Sequence, residues 1–129
     1  MTIEAAIRQY LLAQAAVTDL IARRLYPMIL PQPPTLPAVT YSRVSRSTVR
    51  DLTGMAYRVS RFQFSCWAEK YGDAKAVAQA VRQALEDYVG DMGEFRIMDS
   101  TSVNEIDLSE PDTGLYHVPV DVLITHEGG

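Results

Sequence analysis

The run Ala56-Tyr57-Arg58-Val59-Ser60-Arg61-Phe62-Gln63-Phe64-Ser65-Cys66-Trp67-Ala68 constrains this chain most. Phe62, Phe64, Cys66 and Ala68 alternate with polar or amphipathic residues, the period of a strand with one buried face. Tyr57 and Val59 fall on the opposite parity. Either both faces are partly covered, or a bulge near Ser60 switches the register. A helix follows at once, over Gly72 to Val89. Ala74, Val77, Ala78, Val81, Leu85 and Tyr88 make its apolar stripe, and Lys75, Gln79, Arg82 and Glu86 its polar face. Gly90 is placed to end it. The alanines call for close packing of this helix on a sheet.

The flanking segments complete the pattern. Thr2 caps a helix that starts at Ile3 and runs to about Gln14, with Ile3, Ile7, Tyr10 and Leu11 on one face. Glu4 and Arg8 stand four apart, in the favoured order for a helical ion pair. A shorter helix spans Val17 to Arg23. Leu25 to Leu30 is extended, and five of the seven prolines then lie between Pro27 and Pro37. Such a segment is a stiff connection, not a central strand. Ala38 to Val44 is a strand. Ser45 to Met55 is polar and is expected to be a long exposed loop. Phe95 to Leu108 is extended, Pro111-Asp112-Thr113-Gly114 is a turn, and Tyr116, Val118, Val120, Val122 and Ile124 share one face of a last strand. Pro119 marks that strand as an edge, or as paired on one side only at that point. The expected fold is α+β, a mostly antiparallel sheet with helices packed on one side, in the order α-α-β-β-β-α-β-β. One domain, 1–129, is expected from the length.

Composition narrows the function classes. A single cysteine, Cys66, forbids an intrachain disulfide and a site built on several thiolates. No basic segment precedes an apolar run at the N-terminus, and no stretch approaches the ~20 apolar residues of a membrane helix. A soluble protein made inside the cell is expected. The net charge of −4 hides a polarity. Residues 1–61 hold eight Lys/Arg against three Asp/Glu, a balance of +5; residues 62–129 hold four against thirteen, a balance of −9. The overall acidity argues against a general nucleic-acid binder.

Catalytic patterns are weak. His117 and His126 differ in strand parity, so they should point to opposite faces and cannot readily share a metal. Cys66 alternates with Phe62 and Phe64, which suits a buried, inert thiol. Gly90-Asp91-Met92-Gly93 follows a helix, whereas a phosphate loop precedes one, and no Gly-x-Ser-x-Gly elbow occurs. No catalytic, cofactor-binding or metal-binding residue is assigned. The basic set Arg43, Arg46, Arg50, Arg58 and Arg61 lacks the interleaved aromatics that stack bases. A solvated face is the simplest reading of it, and a protein contact the next. The acidic set Glu105, Asp107, Glu110 and Asp112 is a solvated hairpin end on the same simple reading.

Several segments, taken together and in order, resemble the small tail completion (tail terminator) proteins of long-tailed bacteriophages, prophages and gene transfer agents. They are Ile3 through Leu12, Arg24-Leu25-Tyr26-Pro27, Leu36-Pro37-Ala38-Val39-Thr40-Tyr41, Phe62 through Ala68, and Tyr71 through Leu85 with its alanine-rich helix. The likeness covers nearly the whole chain. Its C-terminal third departs, reading Val118-Pro119-Val120-Asp121-Val122 where members often carry more arginine, which leaves the pairing of the last strand open.

The resemblance implies a subunit that assembles with itself into a ring, usually a hexamer, on the head-proximal end of the tail tube. The ring would stop tube growth and meet the head-tail connector protein. It would be found in the host cytoplasm during assembly and then in the virion tail or neck. No cofactor, membrane or specific nucleic-acid partner is implied. A closed ring needs two different patches that meet. The expectation is therefore that Arg43, Arg46, Arg50, Arg58 or Arg61 of one subunit faces Glu105, Asp107, Glu110 or Asp112 of the next, or of a tail partner. Another neck or tail-tube component is the nearest rival. A small soluble bacterial enzyme and a nucleic-acid-binding module are more distant ones.

Overall fold

A computed structural model describes all of residues 1–129. Helix α1 (Ile3–Leu12) starts where Thr2 accepts a hydrogen bond from the Ala5 amide at 3.1 Å. Its Ile3, Ile7 and Leu11 are buried, as the spacing predicts. The Glu4–Arg8 pair does not form. Arg8 instead donates to the Leu25 carbonyl at 3.2 Å, and Glu4 lies 3.6 Å from Arg43, because both side chains face neighbouring elements rather than open solvent. Helix α2 (Ala15–Ile21) follows, then β1 (Leu25–Pro27), which pairs in parallel with β2 (Ala38–Arg50).

Strand β3 (Ala56–Ala68) pairs antiparallel with β2 along its whole length. The expected loop over Ser45 to Met55 is thus a strand up to Arg50, and only Asp51–Met55 turns. Neither side of this distal ribbon is covered, so its strand residues did not need the apolar alternation by which strands are recognised. The bulge falls in β2 between Arg43 and Ser45, not near Ser60. It leaves Val44 as the extra residue, so β3 keeps one register from end to end. Ser60 is buried on the Phe62 face, while Tyr57 and Val59 are half-buried on the other.

Helix α3 (Tyr71–Leu85) packs on β3 and on β7 (Leu115–His126). It stops four residues before Val89. Asp87 takes a positive φ of 60° and donates its amide to the Ser100 carbonyl, so Tyr88 leaves the helix and packs against Tyr10, ring centroids 4.6 Å apart. Tyr10 donates its hydroxyl to the Ala84 carbonyl at 2.6 Å, pinning α1 to the end of α3. Strands β4 (Gly90–Met92), β5 (Phe95–Glu105) and β6 (Leu108–Glu110) complete the chain.

The sheet order is β1-β2-β3-β7-β5-β4, with β6 continuing the β5 side of β7. The fold is α+β, mostly antiparallel with helices on one side, and the expected element order holds, with short strands β4 and β6 flanking β5. The last strand is central rather than an edge. Pro119 is accommodated because its β5-side neighbour is interrupted there: β5 ends opposite Val120 and β6 begins opposite His117. Only the Pro119 carbonyl is used on that side, accepting from Ile106 at 3.2 Å. One cluster of 26 buried apolar residues joins the three helices to Phe62, Phe64, Cys66, Val118, Val120, Val122 and Ile124. The opposite sheet face carries no helix.

Candidate assembly surfaces

The topology places Arg50 and Arg58 at one end of β7 and Glu110 and Asp112 at the other, while Glu105, opposite Val120, and Arg61, opposite Leu123, lie between them. Arg58 lies opposite His126, whereas Glu110 lies opposite Leu115. Those positions are separated by about 36 Å of strand at ~3.3 Å per residue. The split is not complete, since Asp99 lies opposite Thr125, near the Arg58 end of β7.

At the basic end, β2 and β3 run on past the rest of the sheet. Beyond Arg58 the ribbon pairs only with itself. Arg43 lies opposite Phe62, Arg46 opposite Ser60, Arg50 opposite Ala56 and Arg58 opposite Thr48, so all four share the helix-side face. The bulge is what brings Arg43 and Arg46, three residues apart, to one side. Arg43 donates to the Gly129 carbonyl at 2.9 Å and approaches Ser60, and Arg46 donates to the same carbonyl at 3.1 Å. Arg50 is exposed and unpaired, and the Nε of Arg58 is buried with no partner. Arg61 has the other parity and points to the open sheet face, so the structure does not bring it to the other four. There Asp121 accepts from its Nε at 3.0 Å and from a terminal nitrogen at 2.7 Å, and from Gln63 at 3.0 Å.

At the acidic end, two of the four carboxylates are committed within the subunit. Glu105 bridges Lys75 and Arg82 of α3, at 2.6 Å to each. Asp107 accepts from Lys75 at 3.0 Å and from the Tyr71 hydroxyl at 2.7 Å. These hydrogen bonds raise the Lys75 pKa, Glu105 contributing first, and the Tyr71 hydroxyl holds the Asp107 carboxyl below its ordinary value. Glu110 has only the Thr113 hydroxyl at 3.3 Å and His117 at 4.0 Å. Asp112 is exposed and unpaired.

Each end also carries exposed apolar groups that a reading by charge passes over. At the ribbon tip, Leu52 is fully exposed and Met55 largely so. Asp51 holds the tip, its Oδ1 accepting from the Thr53 amide (2.9 Å), the Thr53 hydroxyl (2.6 Å) and the Met55 amide (3.0 Å). At the acidic end a shallow groove of about 170 Å³ is lined by Tyr71, Asp107, Leu108, Ser109 and Tyr116. Tyr71 and Tyr116 meet edge to face, centroids 6.0 Å apart. The sequence signal was present at the tip, a leucine within an otherwise polar turn. At the groove there was none, since it joins residues from both ends of the second half of the chain.

His117 and His126 do lie on opposite faces. His117 stacks on Trp67 in the open face, and His126 is fully buried 2.8 Å from the Ser60 hydroxyl. Burial lowers both pKa values and raises that of the Cys66 thiol, which is also fully buried. No group of three or more His, Cys, Asp or Glu is placed to hold a metal ion, and no helix is long and apolar enough to cross a membrane. A hollow of about 400 Å³ is lined by Glu4, Arg43, Glu94 and Phe95 among others. Its one hydroxyl, Thr2, is spent on capping α1.

The sequence model of the family described as "Tail completion protein gp17" matches residues 5–127. No curated protein matches the chain. Among solved structures, a chain of the "Virion of native gene transfer agent (GTA) particle" superposes with a TM-score of 0.83, covering 98% of this chain and 95% of that one at 23% identity. At that identity the likeness is one of fold.

Proposed function

The chain belongs to the tail completion protein gp17 family, and from that premise we propose that it is a subunit of a ring, a hexamer, that caps the head-proximal end of a phage or prophage tail tube. A structural role in a phage-type tail follows from the family. The finer reading is that the ring stops tube polymerisation and presents a surface to the head-tail connector. The whole chain acts as one domain, with neither catalysis nor cofactor. It works in the host cytoplasm during assembly and then in the virion neck.

The observation that supports this reading is the placement of Arg50 and Arg58 at one end of β7 and of Glu110 and Asp112 at the other. A head-to-tail ring joins one patch of each subunit to a different patch of the next. Arg43, Arg46, Arg50, Arg58 or Arg61 of one subunit meets Glu105, Asp107, Glu110 or Asp112 of its neighbour or of a tail partner. Arg50, Arg58 and Asp112 are the members without an internal partner. Such rim pairs are worth ~0–1 kcal/mol each and set register and rate, while apolar burial supplies affinity.

Electron microscopy of the purified protein, alone and mixed with tail tube protein, tests the proposal. Single closed rings, and tubes capped at one end and limited in length, are expected. Long tubes built from this chain alone would make it a tube component instead.

A further inference from the structure

We infer that the tip of the β2–β3 ribbon is a docking arm: Leu52 and Met55 of one copy seat in the Tyr71–Leu108–Tyr116 groove of the next. This rests on the ring reading only for the presence of a second copy. Leu52 is held fully out in solvent by a turn that Asp51 closes, at the end of a ribbon that beyond Arg58 pairs only with itself. The tip of such a ribbon is ordered with its Leu52 unburied unless something covers it. The groove has the matching defect. Tyr71, Leu108 and Tyr116 stay exposed around a hollow in which no side chain of the same subunit is seated.

Charge selects the occupant. The arm's apolar tip is flanked by Arg50, with Arg46 and Arg58 behind it on the helix-side face. The groove is lined by Asp107, and Asp112 lies in the turn that joins β6 to β7, just beyond it. An apolar knob flanked by the unpaired Arg50 thus meets an apolar groove beside the unpaired Asp112, and the two are on the same chain. They cannot meet within one copy. From His117, opposite Leu108, to His126, opposite Arg58, is about 30 Å of strand, and Leu52 lies beyond that. The contact is therefore between copies, and being heterologous it closes into a ring where the rotation allows and otherwise runs on as a filament.

Cross-linking tests this. The native thiol Cys66 is fully buried, so cysteines placed at Leu52→Cys and Leu108→Cys on exposed sites react alone. With a short bismaleimide, the double variant is expected to give a ladder running from dimer to the closed multimer. Either single variant can give nothing beyond a dimer. Arg50→Glu should lower the ladder's yield roughly fivefold, the scale of one rim pair, and adding Asp112→Arg to the same chain should restore it. A double variant that yields no species above a dimer overturns the contact, as does a ladder indifferent to Arg50→Glu. Rings seen by microscopy without a ladder would leave the ring reading standing and refute the arm. A ladder without closed rings would uphold the arm and count against the ring.

Discussion

The indole of Trp67 and the imidazole of His117 lie face to face, centroids 4.1 Å apart and planes 8° from parallel, on the side of the sheet that no helix covers. Trp67 also donates to the Thr40 hydroxyl at 3.1 Å. The stack shields His117 enough that burial lowers its pKa, and the same cause lowers that of His126 on the other face. A histidine kept neutral in the fold binds fewer protons than its unfolded counterpart, whose pKa is ~6.5. Stability is therefore fully present above that value and falls as pH drops through the window below it. Melting temperature should be flat near pH 7 to 8 and decline towards pH 5. His117→Phe, which keeps the stack, should remove part of that decline. An unchanged melting temperature across the range would count against both assignments.

Asp121 is buried, and Arg61 and Gln63 satisfy its side chain on the open face. Arg61→Leu leaves the carboxylate with one amide partner. The expected cost in urea unfolding is about 1–3 kcal/mol, reduced because the Arg61 side chain is partly exposed. Asp121→Leu added to Arg61→Leu should recover part of it, since an apolar pair leaves no unpaired charge. A double variant worse than the single one would contradict this account.

Glu105 ties the end of β5 to α3 through Lys75 and Arg82. These are half-exposed pairs, so Glu105→Gln should cost only about 1 kcal/mol. Its sharper effect should be local. The chain between β5 and β6 is held to β7 by the Ile106 amide on the Pro119 carbonyl. Amide exchange at Ile106 should speed up in the variant while that of Val120 and Val122 does not. Uniform acceleration would show a global effect instead.

Phe62 and Phe64 are fully buried at the centre of the core. Phe64→Ala should lower stability by about 3–5 kcal/mol in equilibrium unfolding. A loss below about 1 kcal/mol would mean that this face is not the core.

These phenylalanines also mark what was legible in the sequence. Burial on one face writes itself as period two, so Phe62 to Ala68 and Val118 to Ile124 were readable as strands, and Ala74 to Leu85 as a helix. Ser45 to Arg50 was not, because a ribbon with both faces in solvent has no apolar period to show. The centrality of the last strand was hidden by Pro119, whose missing donor is tolerated only because β5 breaks off beside it. The charged sets were legible as sets. Their division was not: Arg61 differs from Arg58 by strand parity across one register, and Glu105 and Asp107 are drawn to α3 by Lys75 and Arg82, across separations of 23 to 32 residues.

The ribbon tip offers the cleanest separation of stability from order. Asp51 accepts three hydrogen bonds within the turn, and its carboxyl is held below the ordinary value, by the Thr53 hydroxyl first and the Met55 and Thr53 amides after it. Gly54 takes a φ of +86° there, which a side chain would strain. None of these residues touches the core. Asp51→Ala should therefore leave global stability nearly unchanged, yet raise amide exchange at Thr53 and Met55 strongly. The pH dependence has a fixed sign. A carboxyl with a lowered folded pKa contributes above its ordinary value of ~3.9 and loses that contribution as pH falls through the lowered one. In the wild type the tip amides should stay protected at pH 5 and open only in stronger acid, and Thr53→Val should move that opening to higher pH. Exchange at the tip that ignores both Asp51→Ala and acid would show that the turn is held by something other than this carboxylate.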